Sequence, residues 1–167
     1  MAQPMPSPKE QFLDGFTKEH ATTMKVLRAV PAAQGDFRPH PRSQSARELA
    51  WTFVMEQALL SAAMTDTLKL TGAFPKAEGE FASIVDKFDS DFKALVELIK
   101  KTPDARFNDG TVKFFVAPKT MGDIPVSAFS WFIFCDQIHH RGQLSVYVRM
   151  AGGKVPSIYG PSADEPW

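Results

Sequence analysis

The stretch Phe129-Ser-Trp-Phe-Ile-Phe-Cys-Asp136-Gln-Ile-His-His140-Arg-Gly-Gln-Leu144 reads as one long helix with an acid and a histidine set into an oily face. Phe129, Phe132, Ile133, Asp136, His140, Gln143, Leu144 and Tyr147 recur at spacings of mostly three and four, the repeat of a single helical side. Asp123 is the expected cap of this helix, Pro125 falls in its first turn, and Gly152-Gly153 stops it. An unpaired carboxylate in such a stripe is expensive to bury, so Asp136 needs a cation, a histidine or solvent. His140, one turn on, faces the same way.

Working outward, three more helices appear. Ser7 caps the first, with Pro8 at its opening position, and Phe12, Phe16, His20, Met24 and Leu27 mark its inner side as far as about Ala29. Ser45 and Glu48 form a capping box for the second helix, predicted to run to about Leu70. Its inner side holds Leu49, Thr52, Phe53, Glu56, Leu59, Leu60 and Ala63, and Gly72 and Pro75 close it. The third has the cleanest stripe, Phe81, Ile84, Val85, Phe88, Phe92, Leu95 and Ile99, ending at Thr102-Pro103. Residues 104–122 predict a short extended segment or a tight turn. Four helices with one dominant apolar face each make an all-α antiparallel bundle the economical architecture. It is read as a single domain over 1–167, with a loose leader at 1–7 and an extended tail at 154–167.

Composition narrows the function classes. The chain has 167 residues, 44% hydrophobic and 23% charged, the balance of a globular protein rather than a disordered one. Lysine plus arginine total 19 and aspartate plus glutamate total 19, so there is no basic excess for nucleic acid. The sole cysteine, Cys135, forms no internal disulfide, and a buried inert thiol is expected there. The longest uncharged apolar stretch, Val126 to Cys135, falls far short of a membrane span. No secretory signal is read at the amino terminus, and the expectation is a cytoplasmic protein without membrane or nucleic-acid partners.

The candidate chemistry gathers on Asp136 and His140. At this spacing a carboxylate and an imidazole can converge on one divalent cation, or form a salt-linked pair. His139 also stands three residues after Asp136, but the di-iron bundle pattern requires a second acid-x-x-His helix, and none occurs. Arg141 is expected to point away from the inner stripe into an ion pair or subunit contact. Gly142 costs about 1 kcal/mol relative to alanine, which suggests that a neighbouring backbone packs against it. His40, in the proline-rich loop, has no constellation around it.

Ser45-Ala-Arg-Glu-Leu-Ala-Trp51, Ile138-His-His-Arg-Gly-Gln-Leu144, Tyr147-Val-Arg149 and Val155-Pro-Ser-Ile-Tyr-Gly160 resemble the DinB-like (YfiT-like) helical-bundle proteins, in the expected order along most of the chain. That resemblance implies an up-down-down-up four-helix bundle, a homodimer, and a divalent metal held by three histidines, one from helix two and two from the last helix. It further implies thiol S-transferase or thiol-dependent isomerase chemistry in the characterised relatives. Two of the three ligand positions depart from the pattern: Thr52 and Asp136 stand where histidine is expected, and His140 alone is kept.

Replacing an imidazole by Asp136 halves the net charge of a bound ion and favours harder ions than zinc or nickel. Glu56, one turn beyond Thr52, and His20 are candidate substitutes, Glu56 being otherwise a buried partner for His140 or Arg141 and His20 a hydrogen-bonded core histidine, and weak or absent transition-metal binding is expected. Two function classes stay open. In the first, a metal- or His140/Asp136-assisted transferase or hydrolase brings a low-molecular-weight thiol or water to a small electrophile, with Thr52 and His20 lining the pocket. The alternative is a non-catalytic small-molecule-binding or structural homodimer that has lost the metal.

Overall fold

The computed structural model describes residues 5–70 and 74–167. In chain order the elements are α1 (Pro8–Ala29), a single 3-10 turn, α2 (Ala46–Met64), α3 (Phe81–Lys101), α4 (Asp104–Asp109), β1 (Thr111–Ala117), β2 (Thr120–Pro125) and α5 (Val126–Met150). Two serines begin helices as their sequences require. Ser7 and Ser45 each accept from the backbone amide three residues on, and Glu10 and Glu48 reach back to the cap amides.

Helix directions follow from the way the core divides in two. One apolar cluster joins Met24 and Leu27 late in α1, Leu49 and Phe53 early in α2, Ile84 and Phe88 early in α3, and Leu144 and Val148 late in α5. The other joins Phe12 and Phe16 early in α1, Leu60 and Ala63 late in α2, Leu95 and Ile99 late in α3, and Phe129 and Ile133 early in α5. So α1 and α5 run one way and α2 and α3 the other, an up-down-down-up bundle. All seven residues expected on the inner side of α3 are buried.

Between the two clusters lies a polar waist: Glu19 to Thr23 of α1, Glu56 and Gln57 of α2, Asp89 of α3, and Asp136 to Arg141 of α5. Six of the seven buried side-chain polar atoms without a partner among the described residues belong to it. Such atoms ordinarily hold internal water or a ligand.

Several local expectations are corrected. α2 stops at Met64 rather than near Leu70, because Asp66 turns left-handed (φ 59°). The amide of Thr67 then bonds the Ala62 carbonyl, a Schellman closure. Arg106 fixes this end by donating to the Ala63 carbonyl (2.6 Å) and pairing with Asp66 (3.0 Å). Gly72, expected to help stop α2, and residues 1–4 of the expected leader lie outside the described residues.

The segment before the last helix is a short helix plus an antiparallel hairpin, in which Thr111 pairs with Pro125 and Ala117 with Thr120. Asp123 does not cap α5: it sits in β2, paired across the hairpin with Lys113 (3.0 Å), and the strand runs straight into the helix through a Val126 amide bond to the Gly110 carbonyl. The buried face of α5 is also wider than one stripe, since this helix packs on both α1 and α2. Ser130, Phe134, Gln137, Arg141 and Val148 are buried, whereas Phe132 and Gln143 are exposed.

Candidate functional site

Helical spacing brings three donors to one point. Glu56 projects from the middle of α2, and Asp136 and His140 project from successive turns of α5. One ligand atom from each lies within 4.8 Å of the others. His140 donates from Nδ1 to Glu56 Oε1 (2.9 Å), which fixes the ring and turns Nε2 toward Asp136 Oδ1, 3.9 Å away. Glu56 is almost fully buried, and its Oε2 has no partner among the described residues. Thr52, one turn earlier on α2, lines the same cavity, its hydroxyl tied back to the Glu48 carbonyl (3.3 Å).

The electrostatics follow from burial. Desolvation pushes the Glu56 carboxyl up to about 7, against the hydrogen bond and charge of His140, which pull it down. For His140, burial opposes the imidazolium, but the Glu56 bond and the charges of Glu56 and Asp136 outweigh it, and the net shift is upward. The pair therefore competes for protons near neutrality. A divalent cation suits this arrangement: it would satisfy the orphaned Glu56 oxygen, and two carboxylates with one imidazole make a hard donor set that neutralises its charge.

Above Glu56 and Asp136 opens a cavity of about 850 Å³ between α2 and α5, closed at the sides by residues 38–44, residues 74–77 and the hairpin. Its walls include Trp51, Met55, Phe114 and Phe132.

His20 does not join this site. It faces α3, where its ring stacks on Phe92 (3.6 Å between centroids) and Nε2 donates to Asp89 (2.9 Å), beside a separate surface groove. Burial holds the His20 imidazole below its usual range despite Asp89.

Arg141 points away from the Asp136–His140 stripe, as expected, but toward α1. It is turned inward and 1% exposed, where it pairs with Glu19, donates to Thr23 Oγ1 (3.4 Å) and donates to the Tyr159 hydroxyl of the tail. The expected ion pair is present, and it is buried. The signal was a second stripe on α5, Phe134, Gln137, Arg141 and Val148, facing α1. Cys135, expected to be buried, is exposed because its position falls opposite both stripes. A Cβ on Gly142 would meet nothing within 4 Å among the described residues beyond its own helix, so no neighbouring backbone packs there. His40 stays on the surface, its Nδ1 accepting from the Arg42 amide (3.1 Å). Among the described residues no helix is long and apolar enough to cross a membrane.

The sequence profile of the DinB family matches residues 5–166. An uncharacterised Bacillus subtilis protein, YrdA, is 23% identical over 159 residues, covering 93% of this chain and 90% of YrdA. Among solved structures, a DinB-like protein from Bacillus cereus is similar with a TM-score of 0.69 at 25% identity, over 89% of this chain and 95% of its own. The DinB-like protein YjoA from Bacillus subtilis shares the fold, with a TM-score of 0.66 at 16% identity, over 86% of this chain and 94% of its own.

Proposed function

The chain belongs to the DinB family, and we propose that within this bundle Glu56, Asp136 and His140 form a carboxylate-rich site for one divalent cation, at which a small electrophile meets water or a low-molecular-weight thiol. The observation that carries the reading is the unpartnered Oε2 of buried Glu56 beside two further donors under an open cavity.

When bound, a divalent cation supplies Lewis acidity that lowers the pKa of a water or thiol. The chain's own groups do the remaining work. Glu56 holds the imidazole by Nδ1, and in the cation-free state, where Nε2 is not a ligand, His140 takes up the proton of the incoming nucleophile at Nε2. Asp136 then stabilises the imidazolium. Two carboxylates leave a divalent ion near neutral, which favours manganese or magnesium over zinc or nickel and makes thiol activation modest. The same neutrality favours a second reading, a small-molecule-binding protein without turnover.

Calorimetric titration with manganese tests the site. One saturable ion per chain is expected, with affinity lost about a hundredfold or more in Asp136→Asn and His140→Ala. Thr52→His adds an imidazole on the same face and is expected to gain zinc or nickel binding. Wild-type binding that neither variant alters would contradict the site.

The chain is also proposed to act as a homodimer through the outer face of α5. Positions 128, 131, 135, 139, 142 and 146 read Ala, Trp, Cys, His, Gly and Val, with no formally charged residue, and Trp131 and Val146 are 40% and 53% exposed. Light scattering is expected to return twice the 18.5 kDa chain mass, and Val146→Glu to give the monomer. A monomeric wild type would refute this.

A further inference from the structure

The cavity over Glu56 and Asp136 is electrically lopsided. Its floor carries two carboxylates, Glu56 and Asp136, whereas its mouth carries Arg38, Arg42, Arg47 and Lys76 against one acid, Glu48. That acid is already engaged, accepting from the Ser45 amide and pairing with Arg38 (2.9 Å). Arg47 leans on Asp36 (3.0 Å), yet its Nε is buried without a partner. Among the described residues Arg42 and Lys76 take no ion pair.

Between mouth and floor the walls are aromatic. The Trp51 indole is pinned by its N–H to the Pro75 carbonyl (3.0 Å), and Phe132, half exposed, packs against Phe114 (5.6 Å between centroids). An aromatic ring left open to water inside a concavity is surface that a ligand's apolar body can cover.

We propose that this cavity takes an organic acid with an apolar body, its oxyanion held at the mouth by Arg42, Arg47 and Lys76 and its body laid against Trp51 and Phe132. Guanidinium and ammonium groups attract carboxylate and phosphate alike. The floor carboxylates repel the same group, so orientation is set by charge: the acid faces solvent and the uncharged end lies toward Glu56 and Asp136. The proposal rests on the preceding reading only for what happens at that inner end.

Calorimetry on the full chain with 3-phenylpropionate, phenethyl phosphate, 3-phenylpropanol and 3-phenylpropylamine tests it, each with chelator and again with manganese. Either acid is expected to bind about tenfold or more tighter than the alcohol, the amine weakest, with the preference shrinking as salt rises. Arg42→Gln/Lys76→Gln, checked for unchanged melting, is expected to bring the acid down to the alcohol's affinity. Trp51→Ala is expected to weaken both. In Asp136→Asn, where the cation reading is disabled, the preference for acid is expected to persist, so the two proposals fail separately. Equal affinities for acid and alcohol, a preference surviving the double substitution, or a preference present only with manganese would each overturn the proposal.

Discussion

Arg141→Met is expected to lower the free energy of unfolding by about 3 kcal/mol and the melting temperature by roughly 6–12 °C. The guanidinium is 1% exposed and bound to Glu19, Thr23 and Tyr159, so its loss strands a carboxylate and a phenol that were arranged around it. Glu19 is 22% exposed at its side chain, so water repays part of the loss, which places the effect at the lower end for broken buried pairs. Tyr159 donates to the same Glu19 carboxylate (2.9 Å), so the substitution also loosens the tail from α1, read as faster amide exchange near residue 159. Glu19→Met/Arg141→Met is expected to recover much of the loss, because the charge is then removed together with its partner. A melting change equivalent to less than about 1 kcal/mol would show that the waist does not depend on this pair.

The second large effect concerns Glu56 and has an unusual sign. Its carboxyl is raised to about 7 in the folded chain against an ordinary 4.5, so between those values the folded state binds more protons than the unfolded one. Stability contributed by this group is complete below the ordinary value and is lost as pH rises through 7. The raised His140 adds in the same direction, since its stabilisation is present below 6.5 and is lost as pH rises through its folded value. His20 contributes oppositely: its lowered value makes acid destabilising. Comparing Glu56→Gln with wild type cancels that contribution.

In chelator-treated protein the two are expected to unfold alike near pH 5. By pH 8 the variant is expected to be the more stable by on the order of 2–3 kcal/mol. Manganese at saturating concentration is then expected to raise the melting temperature of wild type and leave Glu56→Gln unmoved. A pH-independent difference, or a variant less stable at pH 8, would mean that the buried carboxylate carries no desolvation cost.

Two of the helix starts were legible because capping is local chemistry. Ser7 with Glu10 and Ser45 with Glu48 satisfy amides three residues away, and no distant contact has to be guessed. The α3 stripe was equally plain, since that helix buries one side only. Periodicity misled where a helix is buried on two sides. α5 meets both α1 and α2, and the single stripe read for it leaves out the second buried face that carries Arg141.

The end of α2 depends on a non-glycine residue, Asp66, in a left-handed turn held by Arg106 from forty residues on, a contact that no local pattern contains. Asp136 and His140 were visible as polar residues in an apolar stripe, and Glu56 as a polar residue on the facing one. The cationic mouth was not visible, because Arg42 and Lys76 are brought to Arg47, at the start of α2, by two loops whose paths the sequence leaves open.

The most direct test of the account is a crystal soaked in manganese and measured at an energy where that ion scatters anomalously. The expected result is one strong peak per chain within coordination distance, about 2.0–2.4 Å, of oxygen from Glu56 and Asp136 and nitrogen from His140. No peak between these residues at full soaking, or a peak at His20 and Asp89 instead, would contradict the claim that the waist of this bundle is built to hold a cation.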